Sequence, residues 1–291
     1  MRKLLRFFVF FSVIAAAVAW FLSRPEPLNA DAVAGLTGDP ARGETIFWAG
    51  GCSSCHAAPN SEGEEKLVLA GGYRINSPFG TFISPNISPS ANGIGGWSNL
   101  DLANALIRGL SPVGSHYYPS FPYGTYTRMS LQDVVDLKAF LDTLPSSETQ
   151  SQPHELPFPV TIRRSVGLWK RLFLTDDWIV SVEGAQLERG RYLVEALGHC
   201  GECHTPRNIF GALDDTRWLE GAENPSGEGR IPGLAPGQLN WGADDIAYYL
   251  ETGFTPDYDS AGGEMAAVIA NTSQLSEEDR AAIAAYIKAI P

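Results

Sequence analysis

The sequence predicts an all-α protein: two tandem domains with long irregular loops, preceded by an N-terminal transmembrane or signal helix. Three observations predict this. The chain repeats itself at an interval of about 145 residues, apolar residues recur at helical spacing at the end of each copy, and a basic start runs into an apolar stretch. With 291 residues the chain has the length of about two domains, and 44% hydrophobic against 19% charged residues lets it bury real cores.

The leader comes first. Arg2, Lys3 and Arg6 precede an apolar run from Phe7 to Leu22, broken only by Ser12 and ended by Arg24 and Pro25. That run is roughly 24 Å long as a helix, Leu4 and Leu5 extend it, and Arg6 and Arg24 can snorkel to the interfaces of a ~30 Å core. Segment 1–24 is read as an uncleaved single-pass anchor in the cytoplasmic (inner) membrane, with the body in the periplasm. The alternative is cleavage at Ala17-Val18-Ala19, giving a soluble periplasmic protein that would begin with Trp20-Phe21-Leu22. Either fate exports the body to an oxidising compartment.

Four of the 21 basic residues lie in this leader, so 17 face all 33 acids in the body. Such an acidic body excludes nucleic acid as a partner, since displacing counterions needs a basic face.

The first domain covers 31–145, a linker 146–185, and the second domain 186–291. RGETIFWAGGCSSCH (42–56) matches RGRYLVEALGHCGECH (189–204), and WSNLDLANALIRG (97–109) matches WGADDIAYYLETG (241–253). Closing helices are predicted over 130–145 and 276–291, with Ser130 and Ser276 as N-caps and Asp133 and Asp279 three residues on. Leu137, Phe140, Leu141 and Leu144 form one apolar face, matched by Ile283, Tyr286, Ile287 and Ile290. Strand signals are sparse; Gly and Pro punctuation within 67–88 predicts a short hairpin. In the linker, TIRRSVGLWKRLFL as a helix aligns Ile162, Val166, Trp169 and Phe173, with Arg163, Arg164, Lys170 and Arg171 mostly opposite. This basic cluster is expected to pack between the domains, its bases paired with acids or propionates; contact with a membrane surface is the alternative.

All four cysteines fall in two equivalent motifs, Cys52-Ser-Ser-Cys55-His56 and Cys200-Gly-Glu-Cys203-His204. C-x-x-C-H is the attachment signature of c-type haem. The two thiols reach two vinyl groups of one porphyrin from one helical turn, and the adjacent histidine lies under the iron. A disulfide or thioredoxin-like pair needs no such histidine, and a four-cysteine zinc site would leave both histidines idle. Two covalently bound haem c groups are therefore expected, on Cys52, Cys55, Cys200 and Cys203, with His56 and His204 as axial ligands of the iron.

Beyond the initiator the chain has two methionines, Met129 and Met265, one downstream of each motif, and they are the expected sixth ligands. The competing role is core filler. Met265 lies in a glycine-rich stretch, GGEMAAV, read as a loop; Met129 immediately precedes Ser130, opposite Leu275 in the helix alignment. His116 is the alternative ligand in the first half, and His154 and His199 are weaker candidates.

The chain resembles the di-haem cytochrome c proteins related to the cytochrome c subunit of bacterial membrane-bound alcohol dehydrogenases. The resemblance rests on SPFGTFISPNISPSANGIGGWS (77–98), HYYPSFPYGTYTRMS (116–130), HELPFPVTIRRSVGLWKRLFL (154–174), YLVEALGHCGECHTPRN (192–208) and GGEMAAVIANTSQLSEEDRAAIAAYI (262–287). It implies two cytochrome c-type domains that relay electrons from a partner dehydrogenase to a downstream quinone, cytochrome or oxidase of the respiratory chain. It also supports Met129 and Met265 as ligands. Those subunits carry three C-x-x-C-H motifs and this chain two, so quinone reduction does not carry over. The expected function is electron transfer, not enzymatic catalysis. The alternative is a haem enzyme, a di-haem peroxidase or a sulfur-compound oxidising cytochrome. The first needs an open iron and the second a spare cysteine, and no cysteine is spare here.

Overall fold

The computed structural model describes residues 1–224 and 229–291. Helix α1, Arg2–Leu22, projects from the body with none of its residues buried; its best window has mean hydropathy 2.2. Its 21 residues reach about 31 Å, long enough to cross a ~30 Å hydrocarbon core that the apolar run from Phe7 alone falls short of.

The first half of the body holds α2 (Pro40–Ala49), α3 (Cys52–His56), α4 (Asn99–Arg108), α5 (Tyr123–Tyr126) and α6 (Leu131–Leu141). The linker contributes α7 (Ser165–Phe173). The second half holds α8 (Ala185–Tyr192), α9 (Gly201–His204), α10 (Ala243–Thr252), α11 (Glu264–Thr272) and α12 (Glu277–Ala289). Starts are capped as the sequence indicates. Asp39 accepts from the Ala41 N–H at 2.9 Å with Pro40 at the first helical position, and Ser98 and Asp101 exchange the two bonds of a capping box. Ser130 and Ser276 each accept from the N–H three residues on, at 3.1 Å in both cases. The carboxylates of Asp133 and Asp279 do not return that bond. They turn to the neighbouring α8, where Tyr192 holds Asp133 and Arg189 forks onto Asp279 at 2.7 and 2.8 Å.

The same helix crossing is built twice. α2 packs across α6, and α8 across α12. A Cβ on Gly43 would stand 2.0 Å from the Asp136 carbonyl oxygen; one on Gly190 would stand 2.0 Å from that of Ala282. Backbone contact this close is open only to glycine. Around the crossings lie Phe47, Val134, Phe140, Leu193, Ile283 and Tyr286, all buried. Asp136 lies under the first crossing with its side chain fully buried. Burial would raise it, but Arg42, the Asp39 N–H and Gln132 outweigh that and hold it below the usual carboxylate range.

The predicted hairpin is present as β1 (Arg74–Ser77) and β2 (Gly80–Ile83), antiparallel. The second half has a shorter pair, β3 (Ala222–Glu223) and β4 (Arg230–Ile231), which the sequence did not announce. The linker is no free tether. Glu155 exchanges backbone bonds with Thr81 on the edge of β2, and His154 Nδ1 accepts from the Ile83 N–H at 3.1 Å.

α7 corrects the sequence expectation in two ways. It starts at Ser165, so Ile162 and Arg163 precede it and Ile162 is exposed. Its bases mostly meet carbonyl oxygens, not acids. Arg164 bonds Trp20 O and Ser23 Oγ, Arg171 bonds Leu22 O and Glu26, and Lys170 bonds the carbonyls of Arg108 and Gly109. The last turn of α1, with carbonyls that lack helical partners, is thus capped by the linker. On the far side Trp169 Nε1 donates to Phe210 O at 3.0 Å, so α7 also reaches the second half, as expected of a helix between the two.

Candidate cofactor sites

α2 ends at Ala49, and Gly51, at φ 60°, turns the chain in the left-handed region into α3. Cys52 and Cys55 then lie one turn apart, followed by His56. α9 places Cys203 and His204 in the same way after Cys200. No disulfide joins these four cysteines. Burial pushes Cys52 and Cys200 up to about 12 and, with Glu264 and Cys203 adding, Cys55 up to about 11.

The histidines are held alike. His56 Nδ1 lies 2.9 Å from Pro85 O, and His204 Nδ1 lies 2.8 Å from Pro232 O. A carbonyl only accepts, so Nδ1 carries the proton and the Nε2 lone pair is left for a metal. Burial holds both imidazoles below their ordinary value, against the pull of the proline carbonyls, and so in the neutral form that ligates. Each histidine carbonyl accepts from a glycine N–H, Gly71 or Gly221, at 2.7 Å. Gly71 has φ 76° and Gly221 φ 85°, and a Cβ on either would strike the chain around the proline that binds the histidine. The proximal geometry therefore depends on glycine twice.

These residues fit haem c. Two reduced thiols on one turn and an oriented Nε2 are the donor set it needs, and the cysteines and histidines are enclosed by protein while keeping an exposed fraction toward open space. Among the described residues no group of three or more His, Cys, Asp or Glu converges as a bare metal site, so the cysteine pairs do not merge into one zinc centre.

Met265 is in helix α11, not in a loop, and packs partly buried against the core. Gly263 at φ 57° provides the entry that opens this helix, and alanines carry it on. Met129 is buried, as is Leu275, its counterpart before Ser276. His116 bonds Ser23 O through Nε2 at 2.8 Å, at the end of α1. His154 is held by the hairpin. His199 sits between the halves, its Nε2 3.2 Å from Gly50 O.

Sequence reasoning missed the bridge between the first motif and α11. Ser53 Oγ donates to Asn271 Oδ1 at 2.9 Å, and Asn271 Nδ2 donates to Ser54 Oγ at 2.7 Å. Tyr73 OH donates to the Glu264 carboxylate at 2.8 Å. A cavity of about 240 Å³ lies along this seam. The available signal was the difference between the copies inside C-x-x-C: Ser-Ser in one, Gly-Glu in the other.

Residues 40–145 match the family model for cytochrome c. The chain is 58% identical to a "Diheme cytochrome c-type" protein of Cereibacter sphaeroides, over 96% of this chain and 95% of that protein. It is 36% identical to the fructose dehydrogenase cytochrome subunit of Gluconobacter japonicus, over 86% of this chain and 52% of the subunit. It is 32% identical to the cytochrome c subunit of the quinone alcohol dehydrogenase of Gluconobacter oxydans, over 86% of this chain and 54% of the subunit. The chain thus spans about half the length of these two dehydrogenase subunits.

Proposed function

The chain belongs to the di-haem cytochrome c family, and from that membership we propose that it relays single electrons from a periplasmic or membrane-bound dehydrogenase to the respiratory chain. It carries two covalently bound haem c groups. The body is two tandem cytochrome c-type domains. Cys52 and Cys55 attach the first haem and Cys200 and Cys203 the second, with His56 and His204 as proximal ligands. Met265 is the sixth ligand of the second iron, and Met129, the other thioether of the body, that of the first.

When bound, haem supplies reversible one-electron chemistry at its iron. The chain does the rest. Pro85 and Pro232 fix the ring orientation and basicity of the histidines. The observation that carries the relay is the hydrogen-bonded contact of the first C-x-x-C-H turn with α11, the helix of Met265. Through it the two centres adjoin.

α1 is the uncleaved anchor, and its capping by Arg164, Arg171 and His116 supports this, since a segment removed after export needs no such fitted seat. The dehydrogenase is the electron donor, and a cytochrome or oxidase of the respiratory chain the acceptor. Purification from membranes in mild detergent is expected to bring a dehydrogenase with it, and the reduced protein is expected to react little with carbon monoxide at either iron. Fast stoichiometric carbon monoxide binding would replace the relay with a haem enzyme.

A further inference from the structure

A cavity of about 270 Å³ lies where α1 leaves the membrane, between the chain after Ser23 and α7. It shares no lining residue with either C-x-x-C-H motif or with Met129 or Met265. Arg24, Arg108, Lys170 and Arg171 line it, against the acids Glu26 and Asp176. Glu26 is already taken by Arg171 and Arg24. Arg108 has no ion-pair partner among the described residues. Lys170 spends two of its three N–H groups on the carbonyls of Arg108 and Gly109, leaving one. In so acidic a body this is an unusual excess of positive charge.

His116 lines the cavity as well, with its Nε2 proton given to the Ser23 carbonyl at 2.8 Å.

We propose that this cavity binds a phosphate-type anion at the depth of the lipid headgroups, with Arg108 and the remaining N–H of Lys170 as donors. The chemistry is that of the phosphodiester of an anionic phospholipid or of free phosphate. The placement rests on the reading of α1 as a retained anchor. Trp20, stacked under Arg164 at 4.3 Å, marks the interface where headgroups lie. Bound there, the anion completes the junction between anchor and body and fixes the height of the haem domains above the membrane.

The test uses the full-length holoprotein in mild detergent. Intact mass first shows whether residues 1–24 are retained, which decides the anchor independently of the cavity. Native mass spectrometry then counts phospholipid per chain, and phosphorus NMR of added inorganic phosphate reads the free anion. The variants are Arg108→Gln and, as control, Arg217→Gln, an exposed arginine of the second half. One anionic phospholipid on wild type and control, bound about tenfold more weakly by Arg108→Gln, supports the lipid source. Phosphate binding with the same loss, and no lipid, supports the free anion. Equal binding by Arg108→Gln, a neutral lipid or quinone in its place, or no phosphorus signal in either arm overturns the proposal. The haem spectrum of each variant shows that the body is folded.

Discussion

Ser53 donates a 2.9 Å hydrogen bond to Asn271, joining the first C-x-x-C-H turn to the helix that carries Met265. Asn271 is buried and also donates to Ser54 Oγ and Ala267 O, both at 2.7 Å. One amide thus satisfies groups from both halves at the seam between them.

Replacing that amide should loosen the seam. Asn271→Ala leaves Ser53 and Ser54 without their partner, and an orphaned buried polar group costs about 1–3 kcal/mol. The expected result is a loss of about 2 kcal/mol in denaturant unfolding with both haems retained, together with weaker magnetic coupling between the two irons in the oxidised protein. Unchanged coupling would show that the contact positions nothing beyond the chain itself.

The glycine crossings predict half-specific damage. A methyl at Gly190 falls 2.0 Å from the Ala282 carbonyl and 2.7 Å from Tyr286 Cβ, and α8 must move off α12 to admit it. Gly190→Ala is expected to cost about 3 kcal/mol or more, and to halve the covalent haem per chain as the second half fails to mature. Gly43→Ala does the same to the first half. A pyridine haemochrome assay with peptide mapping of the attached haem distinguishes the two.

The contrast between what the sequence announced and what it concealed follows from range. Ser130 and Ser276 read as caps because a cap is decided within one turn, and C-x-x-C-H because its ligands are adjacent. The repeat gave the second copy of the motif turn, of the helix that begins near Trp97 or Trp241, and of the closing helix. The partners of Arg164 and Arg171 are carbonyls of α1, about 140 residues back, and no local pattern marks a carbonyl as an acceptor. Met265 was placed in a loop because Gly262 and Gly263 dominate the stretch, yet they stand just before a helix. The Asn271 bridge was hidden because serine and asparagine are ordinary surface residues until a distant part of the chain covers them.

His154 makes stability depend on pH. Burial, with Arg163 adding, holds its imidazole below the ordinary histidine value, and the neutral ring accepts from the Ile83 N–H. Between the lowered folded value and the unfolded value near ~6.5, the unfolded chain binds more protons than the folded one. Stability is therefore full above that unfolded value and falls as pH drops through the window, by at most about 1.4 kcal/mol per pH unit for one proton. His154→Gln keeps an acceptor and removes the titration. Urea midpoints from neutral to mildly acid pH should fall more steeply in wild type than in the variant; parallel curves would refute the assignment.

The two methionines can be separated by substitutions that preserve shape. Leu275 already occupies the position before Ser276 that Met129 occupies before Ser130, and both are buried, so leucine is a tested fit for that core. Met129→Leu therefore keeps packing, with a cost of less than about 1.5 kcal/mol, while removing the thioether. If Met129 ligates the first iron, this variant loses that haem's share of the sulfur-to-iron absorption band at the red end of the spectrum, and its potential falls because the soft ligand favouring ferrous iron is gone. Met265→Leu should do the same at the second haem. The double variant should lose the band altogether, with haem content unchanged. A band that survives Met129→Leu undiminished assigns Met129 to the core and leaves the first iron to another ligand; His116, whose Nε2 is committed to Ser23, would have to leave α1 to supply one.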